Sequence, residues 1–327
     1  MMAADTVLEV SDLRVSFRGY GGKTRVLDGV NLRVAKGQRV GLVGEAGCGK
    51  TTTLKAIMGI LPSQAVIEEG QVLFRGQDLL KASPVAVQSF QQRGAAMIFQ
   101  DPTAALNPVF TVGDLLQVGL RYATDSRGKV DRARLIKRCT EALSEVSLPD
   151  PERIMKTYPF QLSGGMRQRV CIASAITATR EILLADEPGT SLDVTIQDQI
   201  LRLITGLSET KGLAVVLVTH SLGVVREVTE YVYVMYAGVV VEGGPTAEVF
   251  ARPLHPYTAA LMECIPRLTG QGFAEGIPGR LPDYRNPPRG CRFSPRCPHS
   301  LKTCGEAKPS LLDTGGRHMV ACYLRAR

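Results

Sequence analysis

Residues 44–51, GEAGCGKT, constrain the fold more than any other stretch of the chain. They fit the pattern G-x-x-x-x-G-K-[ST], with Gly44, Gly49, Lys50 and Thr51 at the fixed positions. The apolar run RVGLV precedes them and the helix-like TLKAIMGIL follows. Strand, glycine turn and helix is the setting this spacing needs. The glycines let the backbone curl so that its N–H groups face phosphate oxygens, and the helix start adds its positive end. Lys50 is placed to reach the β- and γ-phosphates, and the Thr51 hydroxyl is a ligand for Mg²⁺. Glu45, Ala46, Gly47, Cys48 and Thr52 complete the predicted nucleotide cradle. Cys48 reads as a small residue in the loop, although a helix start also lowers a thiol pKa.

A phosphate loop alone does not hydrolyse anything. EILLADEP (181–188) supplies the partner. Its apolar residues predict a buried strand ending at Asp186, which would hold Mg²⁺ through water. Glu187 follows and is placed to orient and deprotonate the attacking water. Phosphoryl transfer needs mainly positioning and charge neutralisation, which such a set provides. A guanine reader, Asn-Lys-x-Asp, is absent: no Lys follows Asn31, Asn107 or Asn286.

Short apolar runs alternate with helical periodicity, which predicts an α/β fold with a largely parallel sheet. Residues 101–165 read as a helical insertion. After about Gly244 the sequence turns rich in Pro and Cys, as an appended module would. No apolar run approaches the ~20 residues of a membrane-spanning helix, and YVYVMYAGVVV (231–241) reads as strands. MMAADTVLEV lacks the basic start and apolar core of a signal peptide, so a cytoplasmic protein is expected. Of the net charge of +8, all but one unit lies between Arg285 and Arg327. The body is near neutral, which argues against nucleic acid as its partner.

LSGGMRQRV (162–170) then poses a problem, because it too has the composition of a phosphate cradle. If Ser163, Gly164 and Gly165 served the same pocket, one chain would cap its ATP twice. The better solution is that they serve the ATP of a second copy or a related chain, docked head to tail. ATP would then join the two, and hydrolysis would release them.

With these residues in view, LSGGMRQR resembles the signature of ATP-binding-cassette (ABC) ATPases, a stretch that includes Gln168. The resemblance implies the P-loop ABC-ATPase fold: a RecA-like core, an antiparallel β subdomain and a helical subdomain. It also implies roles for residues that would mean little alone. MIFQDP resembles the Q-loop, with Gln100 sensing the attacking water and joining Thr51 and Asp186 around Mg²⁺. SLD resembles the D-loop, with Asp193 communicating across the dimer. LVTH resembles the switch, with His220 contacting the γ-phosphate. An aromatic near the end of the first strand would stack on adenine; Phe17 is favoured, with Tyr20 as the alternative.

MIFQDPTAALNPVFTVGD, ADEPGTSLDVTIQDQIL, VVEGGPTAEVF and HPYTAALMECIP are similar to the peptide/nickel-type bacterial importers, over nearly the whole chain. That likeness implies a nucleotide-binding domain over 1–250, with its helical subdomain at about 101–165, and a small Cys-rich C-terminal extension over 251–327. It implies an ATPase at the cytoplasmic face of the inner membrane, bound peripherally to two transmembrane permease subunits. A second related ATPase subunit, or a second copy, completes the pair, and an extracytoplasmic solute-binding protein feeds it indirectly. The cargo class would be peptides or related small solutes. Ala46, Gly189 and Ser221 depart from the usual Ser, Thr and Asp, but none removes a catalytic group. A soluble ABC ATPase acting on nucleic acid or ribosomes is the alternative, motivated by the basic tail; one compact cassette without long coiled coils speaks against it.

Cys291, Cys297, Cys304 and Cys322 show the spacing C-x5-C-x6-C-x17-C. No tight C-x2–4-C pair of a structural zinc site is present. With Arg292, Arg296 and Lys302 nearby to favour thiolates, and with the tail resembling that of the importers, a structural [4Fe–4S] cluster is expected. Zinc with His299 or His318, or free buried thiols, are the alternatives. His255, beside Pro256, reads as part of a rigid turn.

Overall fold

The computed structural model describes residues 5–19, 22–124, 131–178, 180–190, 192–264 and 276–325. Its strands are β1 (Thr6–Gly19), β2 (Gly22–Ala35), β3 (Arg39–Val43), β4 (Ala65–Phe74), β5 (Gln77–Asp78), β6 (Ala95–Ile98), β7 (Ile182–Asp186), β8 (Ala214–Val218), β9 (Tyr231–Tyr236), β10 (Val239–Pro245), β11 (Leu312–Asp313) and β12 (Met319–Val320). The chain divides into two compact units, one mainly of residues 81–217, the other of 8–34, 38–80 and 218–327.

The second unit carries a sheet of order β2-β1-β4-β5. β1 runs antiparallel to β4, from Leu8 opposite Phe74 to Phe17 opposite Ala65. Gly70 sits opposite the bulge in β1 at φ 107, and a Cβ there would come within 2.6 Å of the Leu13 backbone. This unit also holds the run β11-β12-β10-β9-β3. β3 and β9 are parallel, while β9 and β10 form an antiparallel hairpin. Its turn residues, Ala237 and Gly238, have φ of 44 and 83, the positive pair that a two-residue hairpin turn requires. A largely parallel sheet is therefore too simple a reading. Strands buried on both faces lose the alternation that distinguishes one direction from the other. Tyr236, Tyr257 and Phe293 are fully buried at the centre of this unit. Their ring centroids lie 4.6–5.4 Å apart, the spacing at which aromatic quadrupoles attract. Phe293 thus draws the residues after 276 into the core.

The first unit carries β8-β7-β6, with β6 and β7 parallel. The β-branched and leucine-rich sequences AVVLV and ILLAD are buried throughout. The predicted helical stretch resolves into helices at Pro102–Ala105, Val112–Thr124, Arg132–Glu145 and Pro151–Met155. The helix Gly164–Ile176 follows them. Its last carbonyls, Ile176 and Thr177, accept from the Arg138 guanidinium at 2.7 and 2.9 Å. A cation there satisfies orphan acceptors and complements the negative helix end. Among the described residues, no helix is long and apolar enough to cross a membrane.

Candidate functional site

The phosphate loop forms as expected. β3 delivers the chain into Gly44, and the helix Lys50–Met58 leaves from Gly49. Gly44, Gly47 and Gly49 have φ of 150, 80 and 106, conformations that L side chains rarely adopt. At Gly44 a Cβ would also lie 2.0 Å from the Met235 carbonyl. The loop's carbonyls have partners: Gly44 and Glu45 accept from Lys50 Nζ at 2.8 and 3.0 Å. Gly47 accepts from the Tyr284 hydroxyl at 2.7 Å, and Cys48 accepts from Gly238 N–H at 2.8 Å. In a planar trans peptide the next N–H points the opposite way. The Cys48–Gly238 bond therefore turns the Gly49 N–H away from the hairpin. Lys50 is buried, and its ammonium rests on the oxygens it would leave for a phosphate. Burial raises the Cys48 thiol above its ordinary range, with Lys50 only partly offsetting this, which suits the small-residue reading. Ala46 and Gly47 are exposed, and Thr51 and Thr52 are half-buried.

β7 ends at Asp186, and both Asp186 and Glu187 are buried. Glu187 has φ 48, a costly conformation for a residue with a long side chain, of the sort that clusters at functional sites. Its Oε2 accepts from Gln100 Nε2 and from the Thr190 hydroxyl, each at 3.1 Å. The sequence pointed to Gln100 and Glu187 separately; the fold brings them into contact. Thr190 had no motif to reveal it. With Nε2 given to Glu187, the lone pairs of Gln100 Oε1 remain for a metal ion. That amide oxygen and the Asp186 carboxylate, like the Thr51 hydroxyl of the other unit, are hard oxygen ligands of the type that suits Mg²⁺.

Ser163 is exposed and caps the helix Gly164–Ile176, its Oγ accepting from Met166 N–H. Cβ atoms on Gly164 and Gly165 would lie 3.1 and 2.9 Å from Leu192 and Ile196, so the glycine pair lets this turn close on the start of the helix Val194–Lys211. Gln168 is only 1 % exposed, with no partner for its Nε2 among the described residues. It faces inward from the signature helix rather than toward the surface that Ser163 occupies. Asp193 is exposed and caps the helix Val194–Lys211, accepting from Ile196 N–H at 2.9 Å. His220 is exposed just past β8. Phe17 is half-buried near the end of β1; Tyr20 lies outside the described residues.

The iron–sulfur expectation is corrected. Cys291, Cys297, Cys304 and Cys322 do line one cavity, but its volume is about 10 Å³, the space of one water. Burial raises the thiols of Cys297 and Cys322 and pushes Cys291 up to about 11. Among the described residues, no group of three or more His, Cys, Asp or Glu is placed to hold a metal ion. Spacing brought the four cysteines near one another without specifying a ligand geometry. His255 does serve a turn: it caps the helix Pro256–Glu263, its Nδ1 accepting from Tyr257 N–H at 3.0 Å.

Residues 27–190 match the ABC transporter family, and residues 241–304 match the oligopeptide/dipeptide transporter C-terminal region. The chain is 42% identical to the dipeptide transport ATP-binding protein DppD of Bacillus subtilis over 98% of its own length and 95% of that relative. It is 40% identical to the oligopeptide transport ATP-binding protein OppD of the same organism, over 99% and 90%. Among solved structures, a dimeric ATP-binding cassette bound to ADP and Pi superimposes with a TM-score of 0.65 at 27% identity, covering 73% of this chain and 98% of that one.

Proposed function

This chain belongs to the ABC transporter family, and we infer that it is the ATP-hydrolysing subunit of a peptide importer. The observation that carries the chemistry is Glu187, buried at the end of β7 and oriented by Gln100 and Thr190. A carboxylate fixed by two donors is a base with a set direction, placed to take the proton of an attacking water. Mg²⁺, held by Thr51, Gln100 and Asp186, would supply charge neutralisation on the β- and γ-phosphates. Lys50 trades its contacts with the Gly44 and Glu45 carbonyls for phosphate oxygens. His220 contacts the γ-phosphate, and Phe17 stacks on adenine.

The exposed Ser163 and the two glycines behind it close the ATP of a facing subunit, and Asp193 communicates across the same dimer. The peptide transport named for the relatives supports peptides as cargo; two membrane permease subunits and a second ATPase would be the partners. The chain would then work at the cytoplasmic face of the inner membrane, as a nucleotide-binding domain over 1–250 with an extension over 251–327.

The test is to purify the chain gently from detergent-extracted membranes and identify what accompanies it. Two multi-spanning proteins and a sister ATPase, with peptide-stimulated ATP hydrolysis after reconstitution, are expected. Recovery of ribosomes or nucleic acid in place of membrane proteins would sink this reading.

A further inference from the structure

The phosphate loop is held by residues that no phosphate-loop motif contains. Arg296 forks onto the Glu45 carboxylate, Nη1 at 2.8 Å and Nη2 at 3.0 Å. The same guanidinium donates from Nε to the Pro278 carbonyl at 2.7 Å, from Nη2 to Ile277 at 2.8 Å and from Nη1 to the Tyr236 hydroxyl at 3.2 Å. A guanidinium has five N–H donors in a fixed plane, and these contacts occupy all five. The side chain is only 6% exposed. Nearby, Glu45 N–H donates to the Tyr257 hydroxyl at 2.9 Å, and Tyr257 is set by the His255 cap. The loop is thus gripped at Glu45 from two sides and at Gly47 from a third.

Glu45 raises a physical problem that this arrangement solves. A carboxylate in a loop built to receive a triphosphate repels its ligand, and like charges brought together cost affinity. The bidentate pairing turns Glu45 toward Arg296 and cancels its charge. The hydrogen bonds that Arg296 donates to Glu45 in turn strengthen the guanidinium's hold on its proton.

We propose that Arg296 is a positioning residue for ATP, acting through Glu45: it holds that carboxylate off the phosphate cradle and neutralises it. The inference rests on the reading of residues 44–51 as the ATP site. It makes the C-terminal segment part of the machinery that sets nucleotide affinity.

The experiment measures KM for MgATP and kcat on the full chain, purified with its membrane partners. Arg296→Gln is expected to raise KM about tenfold while kcat changes less than about threefold. The double variant Glu45→Gln/Arg296→Gln is expected to return KM to within about threefold of the wild type. A purely structural Arg296 predicts the opposite, because its contacts with Pro278, Ile277 and Tyr236 stay broken in the double variant. Glu45→Gln alone removes only a loop carboxylate and leaves the guanidinium in place, so it is expected to lower KM about threefold; it serves even if Arg296→Gln does not fold. An unchanged KM in Arg296→Gln, no rescue in the double variant, or an unchanged or raised KM in Glu45→Gln overturns the proposal. Wild-type protein without ATP hydrolysis overturns the ATP-site reading itself, and that is seen before any variant is made.

Discussion

The chain has two glycine turns at helix starts, and they are finished to different degrees. At residues 44–51 the carbonyls of Gly44, Glu45, Gly47 and Cys48 all have partners, and a lysine sits in the middle. At residues 162–170 there is an exposed serine cap, a pair of glycines pressed against the next helix, and a glutamine that turns inward. Both turns present the positive end of a helix. The first is braced by its own chain and shaped around an anion. The second is a surface, and under the proposed function it becomes a binding site only when a facing subunit brings an anion to it. Similar composition at two turns need not mean two alike sites: the loop at 44–51 is held by its own chain, whereas the Ser163 cap stays exposed.

The largest expected effect tests whether both turns act on one reaction. Glu187→Gln should cut turnover by about 10³-fold, within the range for losing a general base, while ATP still binds. Size-exclusion chromatography with ATP should show a trapped dimer. A variant that hydrolyses at the wild-type rate would remove Glu187 from the mechanism. Lys50→Ala attacks the finished turn directly. ATP affinity should fall by about 10²-fold or more, in line with losing a buried charged donor, as read by calorimetry on the isolated chain.

Ser163→Ala attacks the unfinished turn and should separate the two. Nucleotide affinity of the isolated chain should stay within about twofold, while turnover of the assembled protein falls about tenfold and the helix loses about 1 kcal/mol of capping. Equal losses in affinity and turnover would mean that the serine serves its own chain's ATP. The smallest effect belongs to Thr190→Val. Losing one donor to Glu187, worth about 1 kcal/mol, should lower kcat about fivefold with KM unchanged.

How much of this was legible depended on distance along the chain. The loop at 44–51 and the strand ending at Asp186 are local patterns, fixed by glycine conformations and a short apolar run, and both formed where expected. Gln100 and Glu187 were each marked by a motif, but their hydrogen bond is a tertiary fact. Thr190 carried no signal because a hydroxyl near an acidic residue is common in any sequence. The grip on Glu45 comes from Tyr257 and Arg296, more than two hundred residues away, and no periodicity reports such a contact. The cysteines failed differently. Their spacing was informative about proximity, yet it says nothing of the volume they enclose or of ligand geometry. Gln168 lay within the signature, and only the helix phase reveals that it faces the core.

The hairpin turn at Ala237–Gly238 has an effect beyond its two strands. A side chain on Gly238 would place its Cβ 1.9 Å from the Val26 carbonyl, so the turn would be forced outward and the hydrogen bond to Cys48 lost with it. In a saturation mutational scan scored by growth on the imported nutrient, position 238 should therefore be depleted as strongly as Gly44 and Gly49 of the nucleotide loop. A map coloured by tolerance would then draw the loop's boundary around residues far from it in sequence, and would mark as essential a glycine that belongs to no nucleotide motif.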